Sequence, residues 1–163
     1  MKRLTLILLA VLTFGWHNQL QARLPLGEWQ AFMAYDKASH CTYFNGKVYA
    51  VSEGSLFSYD PEDGDIRTFD IVYPMSDVGI THLTACPSQK KLLIIYENGN
   101  IDLMDEQEEV YNITDFKNSN VTDKTINNVD VKGNKAYLAT NFGIVVLDIA
   151  KQVISTTYTL DKE

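Results

Sequence analysis

The sequence is poor in positive charge, in long apolar runs and in helical periodicity. Lys and Arg number 14 against 21 Asp and Glu, a formal charge of −7. That balance opposes non-specific nucleic-acid binding, which neutralises phosphates with basic side chains. Beyond residue 16 no apolar run approaches the roughly 20 residues a membrane helix needs. No segment past residue 22 sustains the i, i+3, i+4, i+7 apolar spacing of an amphipathic helix over ten residues. Only three histidines and two cysteines occur. Phosphate loops, Cys/His metal clusters and nucleophile elbows are all missing, so no cofactor is implied. With hydrophobic residues at 45% and aromatics at 11%, disorder does not fit either.

The one long apolar run is at the start. Lys2 and Arg3 precede residues 4–16, a stretch too short to span a bilayer, and a polar segment runs from His17 to Ala22. This is the layout of a secretory signal peptide. Residues 1–22 are therefore expected to be removed near Ala22, although Leu20 is larger than the small residue usual three positions before the cut. No Cys follows the apolar run, so nothing suggests a lipid-modified N-terminus. Loss of Lys2 and Arg3 takes the formal charge from −7 to −9. The remaining 23–163 carry no transmembrane segment and suffice for one modest domain.

Self-similarity organises that domain. Lys47-Val48-Tyr49-Ala50-Val51 leads to Gly54 and a strand ending in Asp60. Lys91-Leu92-Leu93-Ile94-Ile95 leads to Gly99 and a strand ending in Asp105. Lys135-Ala136-Tyr137-Leu138-Ala139 leads to Gly143 and a strand ending in Asp148. The lysines recur about every 44 residues, a period of propellers and solenoids. Each repeat divides into four short strands: 41–44, 48–51, 56–59 and 67–72; 80–85, 92–96, 100–104 and 109–113; 126–131, 136–140, 144–148 and 153–158. Asn45-Gly46, Asp63-Gly64 and Lys132-Gly133-Asn134 supply turn chemistry. The fold class is all-β: a β-propeller of about three four-stranded blades, near residues 38–73, 78–115 and 124–160. Three blades cannot close a ring, so the chain is expected to be a partial propeller, the N-terminal fragment of a larger one. The missing blades would then lie elsewhere or come from self-association. Residues 28–35, with Trp29 and Phe32, could supply a strand that completes a blade.

Single residues add little chemistry. Cys41 and Cys86 occupy similar places in successive repeats, too far apart for a bridge, and are expected as two small buried side chains. His40 and His82 each sit beside a hydroxyl residue ahead of a first strand; no catalytic role is assigned to them. The acidic run from Asp60 to Asp65 misses the spacing of a calcium loop and fits a turn through Pro61 and Gly64. Asn112 and Asn120 each begin an Asn-X-Thr sequon.

Several stretches together carry a family resemblance: YENGNIDL at 96–103, NITDFK at 112–117, DKTINN at 123–128 and AYLATNFGIVVLD at 136–148, with PLGEW at 25–29 and STTY at 155–158. In that order they resemble the N-terminal β-propeller of the PorZ-like proteins of Bacteroidetes, components of the type IX secretion attachment complex. SDVGIT at 76–81 and GSLFSYDP at 54–61 resemble the broader class of two-component regulator propellers. The first resemblance implies an outer-membrane setting, a sortase-like protein partner and a role in handling anionic lipopolysaccharide. Full-length members are implied to carry two propellers and a C-terminal β-domain.

The function expected from these readings is a non-enzymatic, exported scaffold or binding module. It would sit in the periplasm or on the outer-membrane surface and hold a protein or glycan partner through its rim loops. The loops joining second to third strands recur once per blade, and Glu53, Asn98 and Asn141 are their candidate binding residues. The same residues suit plain hairpin turns. The alternative is a periplasmic ligand-sensing propeller of a two-component regulator. No catalytic and no metal-binding residue is assigned.

Overall fold

The computed structural model describes residues 37–159. The expected signal peptide and the proposed blade-completing segment 28–35 lie outside the described residues. Twelve strands form three antiparallel four-stranded sheets, each a simple meander. Blade 1 holds β1 (Ala38–Phe44), β2 (Lys47–Ser52), β3 (Ser55–Tyr59) and β4 (Ile66–Phe69). Blade 2 holds β5 (Ile80–Cys86), β6 (Lys91–Tyr96), β7 (Ile101–Asp105) and β8 (Val110–Ile113). Blade 3 holds β9 (Ile126–Lys132), β10 (Lys135–Thr140), β11 (Gly143–Asp148) and β12 (Val153–Thr159). The first strands gather side by side, β1 against β5 and β5 against β9, which makes them the inner strands of three consecutive propeller blades.

Strand alternation sorts the side chains into two cores. Between blades 1 and 2 lie Phe44, Tyr49, Val51, Leu56 and Phe69, facing Leu83, Leu92, Ile94, Tyr96 and Met104. Between blades 2 and 3 lie Cys86, Leu93, Ile95, Ile101 and Leu103, facing Ala136, Leu138, Val145 and Leu147. Successive residues of β6 thus enter different cores, which is why residues 92–95 show no alternation in sequence. Each is at most 1% exposed, and burying one such side chain stabilises by about 1.5–3 kcal/mol.

The two rims differ in how they are tied. At one, the first hairpin turns meet the turns between third and fourth strands. Asn45 donates its side-chain N–H to the Glu106 carbonyl at 2.9 Å, and the Ser88 hydroxyl donates to the Gly133 carbonyl. Glu108 receives Lys47 at 3.5 Å, Arg67 and, at 3.5 Å, the Tyr49 hydroxyl. Burial and the Glu108 charge push the Tyr49 hydroxyl up to about 12, so it stays a neutral hydrogen-bond donor. The Asp60 to Asp65 stretch is a turn at this rim: Asp60 and Asp63 accept the backbone N–H groups of Glu62 and Asp65.

Three expectations need correction. The strand placed at 67–72 ends at Phe69, because Asp70 turns back and accepts the N–H groups of Val72 and Tyr73 at 2.8 and 3.2 Å. Cys41 is exposed, not buried, while Cys86 is buried; both are free thiols. Nor are the two equivalent in the repeat. Cys41 pairs with Ala50 and matches Leu83, which pairs with Ile94, whereas Cys86 pairs with Lys91 and matches Phe44, which pairs with Lys47. Cys41 and Cys86 therefore sit on opposite faces of their sheets.

Candidate functional site

The second rim carries the turns between second and third strands together with the linkers that pass from blade to blade. Backbone hydrogen bonds stitch it. The Ile80 N–H donates to the Gly54 carbonyl and the Glu97 N–H to the Gly79 carbonyl, both at 2.9 Å. Turn, linker and next turn are thereby fixed in series. Gly54 has φ +77°, and a Cβ there would come within 3.1 Å of the Gly79 backbone; only glycine lets the linker approach so closely.

Beneath the rim runs a polar network inside blade 2. The Asp102 carboxylate, fully buried, accepts the Tyr96 hydroxyl at 2.6 Å, the Asn112 side-chain N–H at 2.7 Å and the Ser76 backbone N–H at 3.0 Å. Asn112 also donates to Asn100 at 3.0 Å. Burial first, then Asp102, push the Tyr96 hydroxyl well above its ordinary range. A second carboxylate, Asp77, accepts Lys117 and Asn98, each at 2.7 Å, and the Val78 N–H at 3.0 Å. Burial works to raise the Asp77 pKa, but these donors prevail and hold it down at about 2. The network pins the linker at Ser76, Asp77 and Val78 onto blade 2.

Above it a groove of about 200 Å³ opens between blades 1 and 2. Its floor is Leu56, Phe69, Met75 and Ile80, and Glu53, Asp70 and Asp77 stand at its edge. Beside the groove the linker holds Ile71, Val72, Tyr73 and Val78 in solvent, at 61, 84, 57 and 60% exposure. The self-capped turn at Asp70 causes this, together with the Met75 N–H donating to the Asp70 carbonyl at 3.0 Å. Reasoning from sequence missed this loop because Ile71 and Val72 read as more strand. The signal against a strand was Asp70 followed by Pro74, a turn-forming carboxylate and a residue without an N–H.

The three rim candidates all fall in the expected turns. Glu53 pairs with Lys37 at 3.2 Å, both well exposed. Asn98 is taken up by Asp77 and by the Asn100 N–H. Asn141 donates to Asp123 at 2.7 Å and accepts from Asn127 at 2.8 Å, which lowers the Asp123 pKa. Of the three, Glu53 alone borders the groove.

His40 and His82, set within β1 and β5 rather than ahead of them, are brought together with ring centroids 5.7 Å apart. A β-bulge recurs at this level in all three inner strands, at Ser39, Thr81 and Asn127, and it re-aims the next side chain. Each Nδ1 lies 3.1 Å from the neighbouring hydroxyl, Ser39 or Thr81. Those hydroxyls in turn donate to the Val51 and Ile95 carbonyls. Burial, then the neighbouring His40, lower the His82 pKa. Each ring of the pair thus has an orienting hydroxyl beside it.

Three sheets of four strands, inner strands together and cores between faces, define a β-propeller. The family model of the PorZ N-terminal β-propeller domain of type IX secretion matches residues 48–163, and the chain belongs to that family. Among solved structures, PorZ of Porphyromonas gingivalis is 36% identical, with a TM-score of 0.75 over 81% of this chain. That protein is an essential bacterial surface component of the type-IX secretion system. The chain spans 18% of that protein's length. The WD40 repeats of RRP9 (11% identity, TM-score 0.60, 76% of this chain and 38% of that one) and apo AztD of Citrobacter koseri (17%, 0.53, 71% and 32%) share the fold alone. No curated protein sequence matches.

Proposed function

We propose that this chain is a non-enzymatic, exported β-propeller module that serves type IX secretion at the cell surface by holding a partner against the rim that carries the turns between second and third strands. The observation that carries the reading is the 36% identity to a surface component of that system over 81% of the chain. The geometry supports a holding role. The rim is stitched by backbone bonds and underpinned by a satisfied polar network, so its loops are presented on a rigid scaffold. The classes of partner are a protein of the secretion machinery and a lipopolysaccharide glycan.

The test is affinity purification of the tagged protein from fractionated cells of its source. Recovery from the envelope with secretion-system components is expected. Recovery from the cytosol, or from the envelope with a sensor kinase alone, overturns the reading.

A further inference from the structure

We propose that the groove between blades 1 and 2 docks a segment of a protein partner that inserts one large apolar side chain and sets a Lys or Arg beside it. The proposal rests on the reading of the chain as a binding module and narrows it to one place and one chemistry.

Size decides first. At about 200 Å³ the groove falls below the 300–1,000 Å³ of small-molecule sites, and it suits a single side chain. Its floor is apolar and belongs to the inter-blade core: Leu56, Phe69, Met75 and Ile80 are each at most 6% exposed. The floor is therefore fixed by packing on both blades and does not need to form on binding.

The surroundings extend that floor outward. Scattered exposed apolar residues need no explanation, but contiguous ones mark an interaction surface. Ile71 and Val78 line the groove, and Val72 and Tyr73 continue from Ile71 along the same turn. This turn is held by hydrogen bonds to both the carboxylate and the carbonyl of Asp70. Its apolar side chains are thus displayed by a built structure.

Charge selects the partner. Among the described residues, the ionisable ones lining the groove are Glu53, Asp70 and Asp77, with no Lys, Arg or His among them. Asp77 is committed to Lys117. Among the described residues Glu53 is matched by Lys37, in a pair where both side chains are more than half exposed, a kind of pair that exchanges readily with another cation. Glu53 therefore remains to meet an incoming basic group, joined by the second carboxylate oxygen of Asp70, whose Oδ1 caps the turn. The same carboxylates repel phosphate and acidic sugar, so an anionic glycan does not fit this groove.

The experiment uses the purified chain and three fluorescein-labelled heptapeptides: Leu flanked by Arg, Leu flanked by Glu, and Ser flanked by Arg. Fluorescence anisotropy is expected to show the first binding at least tenfold more tightly than either of the others. The double variant I71S/V72S should weaken it tenfold or more, and E53Q/D70N three- to tenfold at low salt. Y111S, at an exposed apolar residue outside the groove, should leave it unchanged, with all variants melting within a few degrees of the parent. Equal binding of the acidic peptide, or indifference to I71S/V72S, overturns the proposal. Binding of purified lipopolysaccharide that I71S/V72S abolishes would overturn the groove assignment while leaving the chain a binding module.

Discussion

The Tyr96 hydroxyl donates to the Asp102 carboxylate across 2.6 Å, and both residues are at most 1% exposed. The pair sits on adjoining strands of blade 2 with Asn112 and the Ser76 N–H completing the carboxylate's partners. A charge so placed is tolerated because three donors converge on it. Asp102→Ala takes the acceptor from the Tyr96 hydroxyl and the Ser76 N–H, each costing about 1–3 kcal/mol when buried, while Asn112 keeps Asn100 and the Ile101 carbonyl. The expected loss is about 3 kcal/mol or more, whereas Tyr96→Phe, which removes one donor, should cost about 1 kcal/mol. Urea denaturation measures both; a change below about 0.5 kcal/mol for the alanine variant would mean the network is not coupled to folding.

Asp77 gives a pH dependence with a defined sign. Its folded pKa lies near 2, below the ordinary 3.8. Its contribution is therefore fully present above about pH 4 and is lost as pH falls through the folded value. The difference in stability between the parent and Asp77→Asn should shrink between about pH 4 and pH 2, and Lys117→Met should flatten that trend. A difference constant across this window would contradict the assignment.

Gly143 opens β11 with φ +149°, and a Cβ there would overlap the Tyr158 carbonyl on β12. The clash is with backbone, so no rotamer change relieves it. Gly143→Ala should cost more than about 2 kcal/mol by displacing β12. A melt unchanged from the parent would show that β12 is not held against β11 in this register.

The two thiols should react at different rates. Cys41 is exposed, while Cys86 is buried and its thiol is pushed up to about 11, chiefly by burial. One maleimide equivalent is expected to add within minutes at neutral pH and the second only on unfolding. Two fast equivalents, or none, would contradict the placement of β1 and β5.

Much of the fold was legible because strand edges coincide with turn chemistry. Asn45-Gly46 closes the first hairpin with φ of +47° and +81°, the geometry such a pair favours. The unbroken apolar run Leu92 to Ile95 of β6 suits a strand buried on both faces. What escaped were features that need register or three dimensions. The bulges at Ser39 and Thr81 carry His40 and His82 into contact, and nothing in a single strand's composition marks them. Cys41 and Cys86 looked equivalent by spacing, yet period-two alternation sends them to opposite faces. The turn at Asp70 hid behind β-branched Ile71 and Val72, so the groove it borders was invisible.

A partner held, as proposed, at the rim that carries the turns between second and third strands should lie within reach of that rim and not of the opposite one. Photo-crosslinking in cells tests it most directly, with p-benzoylphenylalanine placed singly at Val72 and Glu97 on that rim and at Glu62 and Gln107 on the opposite one. Discrete crosslinks to envelope partners are expected from the first two positions and none from the second two. Crosslinks confined to Glu62 and Gln107 would contradict it.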